Sequence, residues 1–135
     1  GTPLDFTKRH ALYETIGDTS FEQIKYARGY DHNWCLNTYT KGKGNDKIVA
    51  ASLYAPNTGI CLEMFTTEPG VQVYTGNFLD GKVKGKHGIA YPKHASVCLE
   101  SQKYPDSPNN SNFPSSYIKP GETYISHTAY RFRVK

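Results

Sequence analysis

The sequence predicts an all-β protein built as an antiparallel β-sandwich. Three observations lead there. Short apolar runs with strand-like alternation recur along the chain. Turn-forming Pro, Gly, Asn and Asp separate them at short intervals. Helical periodicity is almost absent. The 135 residues, 37% apolar and 21% charged, are enough for one domain, residues 1–135, with a real core. That composition excludes a disordered or collagen-like chain.

The elements follow in order. Ser20–Tyr26 is the one helical stretch: Phe21, Ile24 and Lys25 have roughly helical spacing, and Asp18, Thr19 or Ser20 can cap it. Thr40–Lys47 (TKGKGNDK) is a polar loop. Lys47–Tyr54 is rich in Val, Ala and Leu and reads as a strand. Pro56-Asn57-Thr58-Gly59 is a turn, because Pro fixes φ and Gly accepts the left-handed position. Ile60–Thr66 returns as the second strand of that hairpin. Val71–Tyr74 follows Pro69-Gly70 as a short strand, and Ser96–Gln102 is another. Tyr104–Pro120 holds prolines at 105, 108, 114 and 120 and reads as an irregular surface loop. Lys119-Pro120-Gly121-Glu122 is a turn into a final strand, Thr123–Val134. Tyr124, Thr128, Tyr130, Phe132 and Val134 share one face of it, interrupted by Ser126, and Arg131 and Arg133 lie on the other.

The formal charge of +4 fits a solvated surface. Lys82, Lys84 and Lys86 sit among glycines in an exposed loop, and no nucleic-acid partner is expected. No apolar run approaches the roughly 18–20 residues of a membrane helix, so no membrane partner is expected. The start shows no signal-peptide pattern. Gly1 in place of a Met reads as a tag remnant, a processing product or the start of a fragment. Cys35, Cys61 and Cys98 form no CxxC pair, so no zinc site is expected. Lying in apolar runs, they read as packed free thiols of a reducing compartment.

Strand alternation then shows which polar residues share a face. Cys98, Glu100 and Gln102 point one way, and Val97 and Leu99 the other. Gln72 and Tyr74 oppose Val71 and Val73. Asp31 and Asn33 share a face with Cys35, while Trp34 and Leu36 share one with His32. If the apolar faces pack into a core, carboxylates and an amide line a common opposite face. Such a set suits a sugar, whose hydroxyls both donate and accept, with some of the 11 tyrosines to cover its apolar face. The same residues also read as a solvent-facing Glu and an Asp-His-Asn turn. Leu99 and Cys98 predict partial burial of Glu100.

None of His10, His32, His87, His94 and His127 belongs to a nucleophile or metal motif, and GxSxG, HExxH and P-loop patterns are absent. His94 could support Glu100 or be a hydrogen-bonded structural histidine. His32 could orient Asp31 or pack beside Trp34.

At these residues a family resemblance emerges. Gly29–Asn33 (GYDHN), Thr66–Gly81 (TTEPGVQVYTGNFLDG) and Tyr91–Glu100 (YPKHASVCLE) closely resemble the galactose mutarotase, or aldose 1-epimerase, family. Gly1–Phe6 (GTPLDF) and Lys119–Tyr124 (KPGETY) resemble that family's GTPFDF-type strand and RPGEEY turn. The resemblance runs from end to end, and implies the C-terminal part of a galactose-mutarotase-like β-supersandwich. It further implies a general base at Glu100 and sugar contacts at Asp31 and Gln72. Ala95 and Ser96 replace the usual Ser-Gly before the base strand. The family's acid His lies in an NHSYFNL-type motif that this sequence lacks, and His94 falls in a different stretch.

The implied reaction interconverts the α and β anomers of an aldohexose such as galactose or glucose, with no metal or organic cofactor. The implied partners are the sugar and either a missing N-terminal half or a second copy paired through exposed sheet edges. The implied compartment is the cytoplasm. Two other functions remain open: a non-catalytic carbohydrate-binding fragment, and a mutarotase-like protein acting on sugar phosphates.

Overall fold

The computed structural model describes residues 1–135. Eight strands run in chain order: β1 (Asp31–Cys35), β2 (Tyr39–Thr40), β3 (Lys43–Gly44), β4 (Ala51–Ala55), β5 (Ile60–Thr66), β6 (Gly70–Tyr74), β7 (Cys98–Gln102) and β8 (Thr128–Val134). They form three antiparallel sheets, ordered β1-β6-β7, β2-β3 and β4-β5-β8. One short α-helix, α1 (Glu22–Ala27), and three single 3-10 turns complete the chain. The all-β expectation is borne out.

The chain divides into two compact units, Gly1–His32 with Val73–Cys98, and Asn33–Gln72 with Leu99–Lys135. In the first unit, α1 stops at Arg28: its N–H still reaches the carbonyls of Ile24 and Lys25, and its left-handed φ of 59° turns the chain after it out of the helix. Gly29 follows at φ 146°. A Cβ there would lie 2.2 Å from Asn77 Oδ1, so position 29 has no room for a side chain. Asn77 is buried and satisfied: Nδ2 donates to the carbonyls of Ala27 (2.8 Å) and Tyr30 (2.9 Å), and Oδ1 accepts from Thr75 Oγ1 (2.6 Å). Tyr30 is fully buried, with Phe6 edge-on to its ring and its hydroxyl on Thr15 and the Pro3 carbonyl. Its N–H donates to Thr75 Oγ1 at 3.0 Å. These bonds fix the corner that delivers the chain into β1.

In the second unit the hairpin expected around Pro56–Gly59 is present. Ala51 pairs with Met64 through to Ala55 with Ile60, and Gly59 takes φ 72°. β8 adds on the other side of β5, from Ile60 opposite Val134 to Thr66 opposite Thr128. Cys61, Met64, Leu36, Val71 and Leu99 are the buried apolar residues of this unit.

Two buried carboxylates tie distant segments of this unit together. Glu63 accepts from Arg131 Nε at 2.9 Å, directly across the ladder, and pairs with Arg133 two residues on. The hydrogen bond from Arg131, with the charges of both arginines, holds its carboxyl below the usual range. Glu68 pairs with Lys103 Nζ at 3.0 Å and accepts from the Tyr124 hydroxyl. Burial pushes the Glu68 carboxyl up, and bonds from Tyr124, Ser126 and Lys103 more than offset it, leaving it lowered.

Several boundaries differ from the sequence reading. The strand expected over Lys47–Tyr54 begins only at Ala51, and that expected over Ser96–Gln102 begins at Cys98. The last strand begins at Thr128, not Thr123. Before it, His127 is held by Asp46 and Thr67 (His127 Nδ1 to Asp46 Oδ2, 2.7 Å; His127 N–H to Thr67 Oγ1, 3.0 Å; Thr67 N–H to the His127 carbonyl, 3.0 Å), so one backbone bond is kept there and a side chain takes the other. The polar loop Thr40–Lys47 contains the tip of a two-residue hairpin, β2–β3, turned by Lys41 and Gly42, both at positive φ.

Candidate functional site

The polar face expected from alternation forms in the second unit. Gln102, on β7, donates through Nε2 to Asn33 Oδ1 on β1 and to Gln72 Oε1 on β6, each at 3.0 Å. The three amides therefore share one face of the sheet. Val71 and Leu99 point to the other face and are buried. Glu100 is two residues before Gln102 on β7, and the strand period of two places it on the amide face. Gly70 makes the cluster possible: a Cβ there would lie 2.3 Å from Asn33 Oδ1.

Glu100 is exposed and makes no ion pair, which corrects the partial burial expected from its neighbours. Leu99 is buried because it points the opposite way, and it leaves the glutamate carboxylate in water. Gln72 is half-buried. Asp31 is exposed and belongs to the first unit, where its N–H donates to His32 Nδ1 at 3.1 Å. His32 is half-buried. Burial lowers its pKa, against smaller upward pulls from the Gln23 backbone and the Asp31 charge.

The other histidines are engaged locally or exposed. His94 Nε2 bonds the Arg28 carbonyl at 3.0 Å, which makes it a structural histidine of the αL corner. His10 stacks on Phe6, and His127 is held by Asp46. His87 is exposed at a left-handed position. No three His, Cys, Asp or Glu side chains gather where a metal ion could sit, and the three cysteines are free thiols. In the Lys82–Lys86 segment, Lys82 pairs with Asp80 at 2.8 Å, Lys84 bridges to Ala90 and Lys86 opens a 3-10 turn. No helix is long and apolar enough to cross a membrane. Sequence reasoning placed Gln102 on the right face but assigned it no task. The available signal was its i+2 spacing from Glu100.

Comparisons with known proteins identify the family. The family model for aldose 1-epimerase matches residues 1–131. Galactose mutarotase of Bos taurus is 48% identical over 134 residues, that of Homo sapiens 42%, and aldose 1-epimerase of Escherichia coli 35% over 135 residues. The crystal structure of a GalM/aldose epimerase homologue from C. elegans superposes with a TM-score of 0.76 at 26% identity, covering 98% of this chain and 37% of that one. This chain belongs to the aldose 1-epimerase family. It is matched over 99% of its own length and spans 36% of the Bos taurus relative.

Proposed function

We propose that the chain is the base-bearing part of an aldose 1-epimerase that interconverts the α and β anomers of an aldohexose such as galactose or glucose. The observation that carries this reading is the exposed Glu100 on the same strand face as the Asn33–Gln72–Gln102 amides, in a chain of this family. Glu100 takes the proton from the C1 hydroxyl while an acid outside these residues protonates the ring oxygen. The C1–ring-oxygen bond breaks, C1–C2 rotates, and the ring closes on the other face. Glu100 then returns the proton and the acid recovers its own. We assign sugar-hydroxyl contacts to Gln72, whose amide can donate or accept, and to Asp31, whose carboxylate accepts. The free cysteines fit a reducing compartment, and we place the protein in the cytoplasm.

The test is polarimetry of freshly dissolved α-galactose, using bovine galactose mutarotase with its matching segment replaced by this chain. The chimera is expected to speed mutarotation. Glu100→Gln, which keeps the shape and removes the base, is expected to slow it by about 10²-fold or more. A Glu100→Gln chimera turning over near the unsubstituted rate removes Glu100 from the base role. The 135-residue chain by itself is expected to leave galactose at the buffer rate, because the resemblance puts the acid His in an NHSYFNL-type motif that this sequence lacks.

A further inference from the structure

We infer that Tyr130 and Thr128, one strand repeat apart on β8, are positioning residues that pin β7 on either side of Glu100. The pinning stands on geometry, and its effect on turnover rests on the proposed role of Glu100 as base. The Tyr130 hydroxyl donates at 2.6 Å to the carbonyl of Leu99, in the peptide unit immediately before Glu100. The Thr128 hydroxyl meets Ser101 Oγ at 2.7 Å, immediately after it. All four of these residues lie in the second unit. Leu99 and Ser101 are two residues apart on β7, and Tyr130 and Thr128 are two apart on β8 in the opposite order. Two residues of strand cover about 6.5–7 Å on either side, so both ties form at once. Alternation turns the Glu100 side chain the other way from Leu99 and Ser101. Its carboxylate is exposed and makes no ion pair, so no charged partner places it. The backbone from 99 to 101 places it.

That backbone needs holding. β7 is the edge of its sheet, in the order β1-β6-β7, so a strand ladder secures one side of it only. β8 is well founded by comparison. It pairs with β5 from Ile60 opposite Val134 to Thr66 opposite Thr128. Thr128 Oγ1 also meets Oγ1 of the fully buried Thr66 at 2.9 Å, and that atom accepts the Glu68 N–H at 3.1 Å. The tie therefore runs from the core of the β4-β5-β8 sheet to the strand that carries the proposed base. A base works only within hydrogen-bond reach of the proton it takes, and a misplacement of about 1 Å costs on the order of 10²-fold in rate. Support of this kind is what an exposed carboxylate on an edge strand requires.

The experiment uses Tyr130→Phe, which removes only the hydroxyl, and Thr128→Val, which puts a methyl in place of one. Thr128→Ser keeps the hydroxyl as a control. In the ¹³C,¹⁵N-labelled chain, NMR follows the Leu99 carbonyl shift and amide exchange along β7. Tyr130→Phe is expected to move the Leu99 carbonyl upfield and to speed exchange from Leu99 to Gln102 about threefold to tenfold, the worth of one net hydrogen bond. Thr128→Val is expected to speed the same exchange, and Thr128→Ser to leave it at the parent rate. Thr128→Val carries the test if Tyr130→Phe loses the native spectrum. In the chimera with bovine galactose mutarotase, both hydroxyl deletions are expected to lower kcat about threefold to tenfold with KM for galactose unchanged. Adding Tyr130→Phe to Glu100→Gln is expected to cost no further rate, a coupling that a smaller folded fraction does not produce. An unmoved Leu99 carbonyl and unchanged exchange overturn the pinning whatever the rate does. Faster exchange with kcat at the parent value, where Glu100→Gln is slow, overturns its consequence for catalysis. A further loss in the Glu100→Gln background assigns the effect to stability and overturns the positioning role. A parent chimera no faster than buffer, or a Glu100→Gln chimera as fast as the parent, overturns the base reading and leaves the pinning to be decided by the NMR.

Discussion

At the scale of single residues, His32 shows how placement decides chemistry. It stands beside the exposed Asp31 and accepts that residue's N–H, yet burial holds its own pKa down. A histidine that resists protonation when folded costs stability in acid. The unfolded chain takes up a proton below the ordinary histidine value of about 6.5 and the folded chain does not. Stability is therefore expected to fall as pH drops below that value, levelling off once the folded-state pKa is passed. His32→Asn, which keeps an acceptor for the Asp31 N–H, is expected to flatten that part of the melting-temperature profile. Parallel profiles for the two proteins would show that His32 does not set the slope. Sequence alone placed Gln72 and Gln102 on polar strand faces, but it carried no distance, and a face becomes a bonded cluster only through sheet pairing between distant segments.

At the scale of elements, what was legible was what local chemistry fixes. Pro56–Gly59 demanded a turn, and the β4–β5 hairpin formed around it. Alternation in the last strand placed Arg131 and Arg133 together, and the structure puts both on Glu63. What was not legible depended on distant partners. The start of β8 is set by His127 meeting Asp46 and Thr67, which no local pattern announces. Glu63 looked like an ordinary polar residue in a strand until β8 arrived with two cations. Its lowered pKa means that its share of stability is present above the ordinary glutamate value of about 4.3 and is lost as pH falls through the folded-state value. Glu63→Gln leaves the two arginines facing an uncharged amide. It is expected to lower the melting temperature at neutral pH by several degrees, and the gap from the parent is expected to close in acid. A gap of equal size at every pH would assign the loss to packing and not to charge.

At the scale of the whole molecule, the β4-β5-β8 sheet presents a face with no cover at one end. Its register aligns Leu53, Leu62 and Phe132 in one row and Ala55, Ile60 and Val134 in the next. Towards β7 the face is closed: Met64 is fully buried, and Tyr130 reaches the Leu99 carbonyl at 2.6 Å. Towards the hairpin turn it opens, with Phe132 67% and Val134 75% exposed. β4 and β8 are also edge strands, each with one side of its backbone unpaired. Apolar side chains left in water cost free energy roughly in proportion to their area, and an open edge offers a ready ladder of hydrogen bonds. A second copy of the chain supplies both a matching apolar row and a matching edge. We therefore expect light scattering to report about twice the 15.1 kDa chain mass as concentration rises. Phe132→Glu puts a charge at the β8 end of the Leu53–Leu62–Phe132 row and is expected to return the protein to the monomer mass while leaving the buried Met64 end intact. A parent that stays at the single-chain mass at every concentration defeats this expectation. A Phe132→Glu variant that still doubles would move the contact from the apolar row to the backbone edge of β4 or β8.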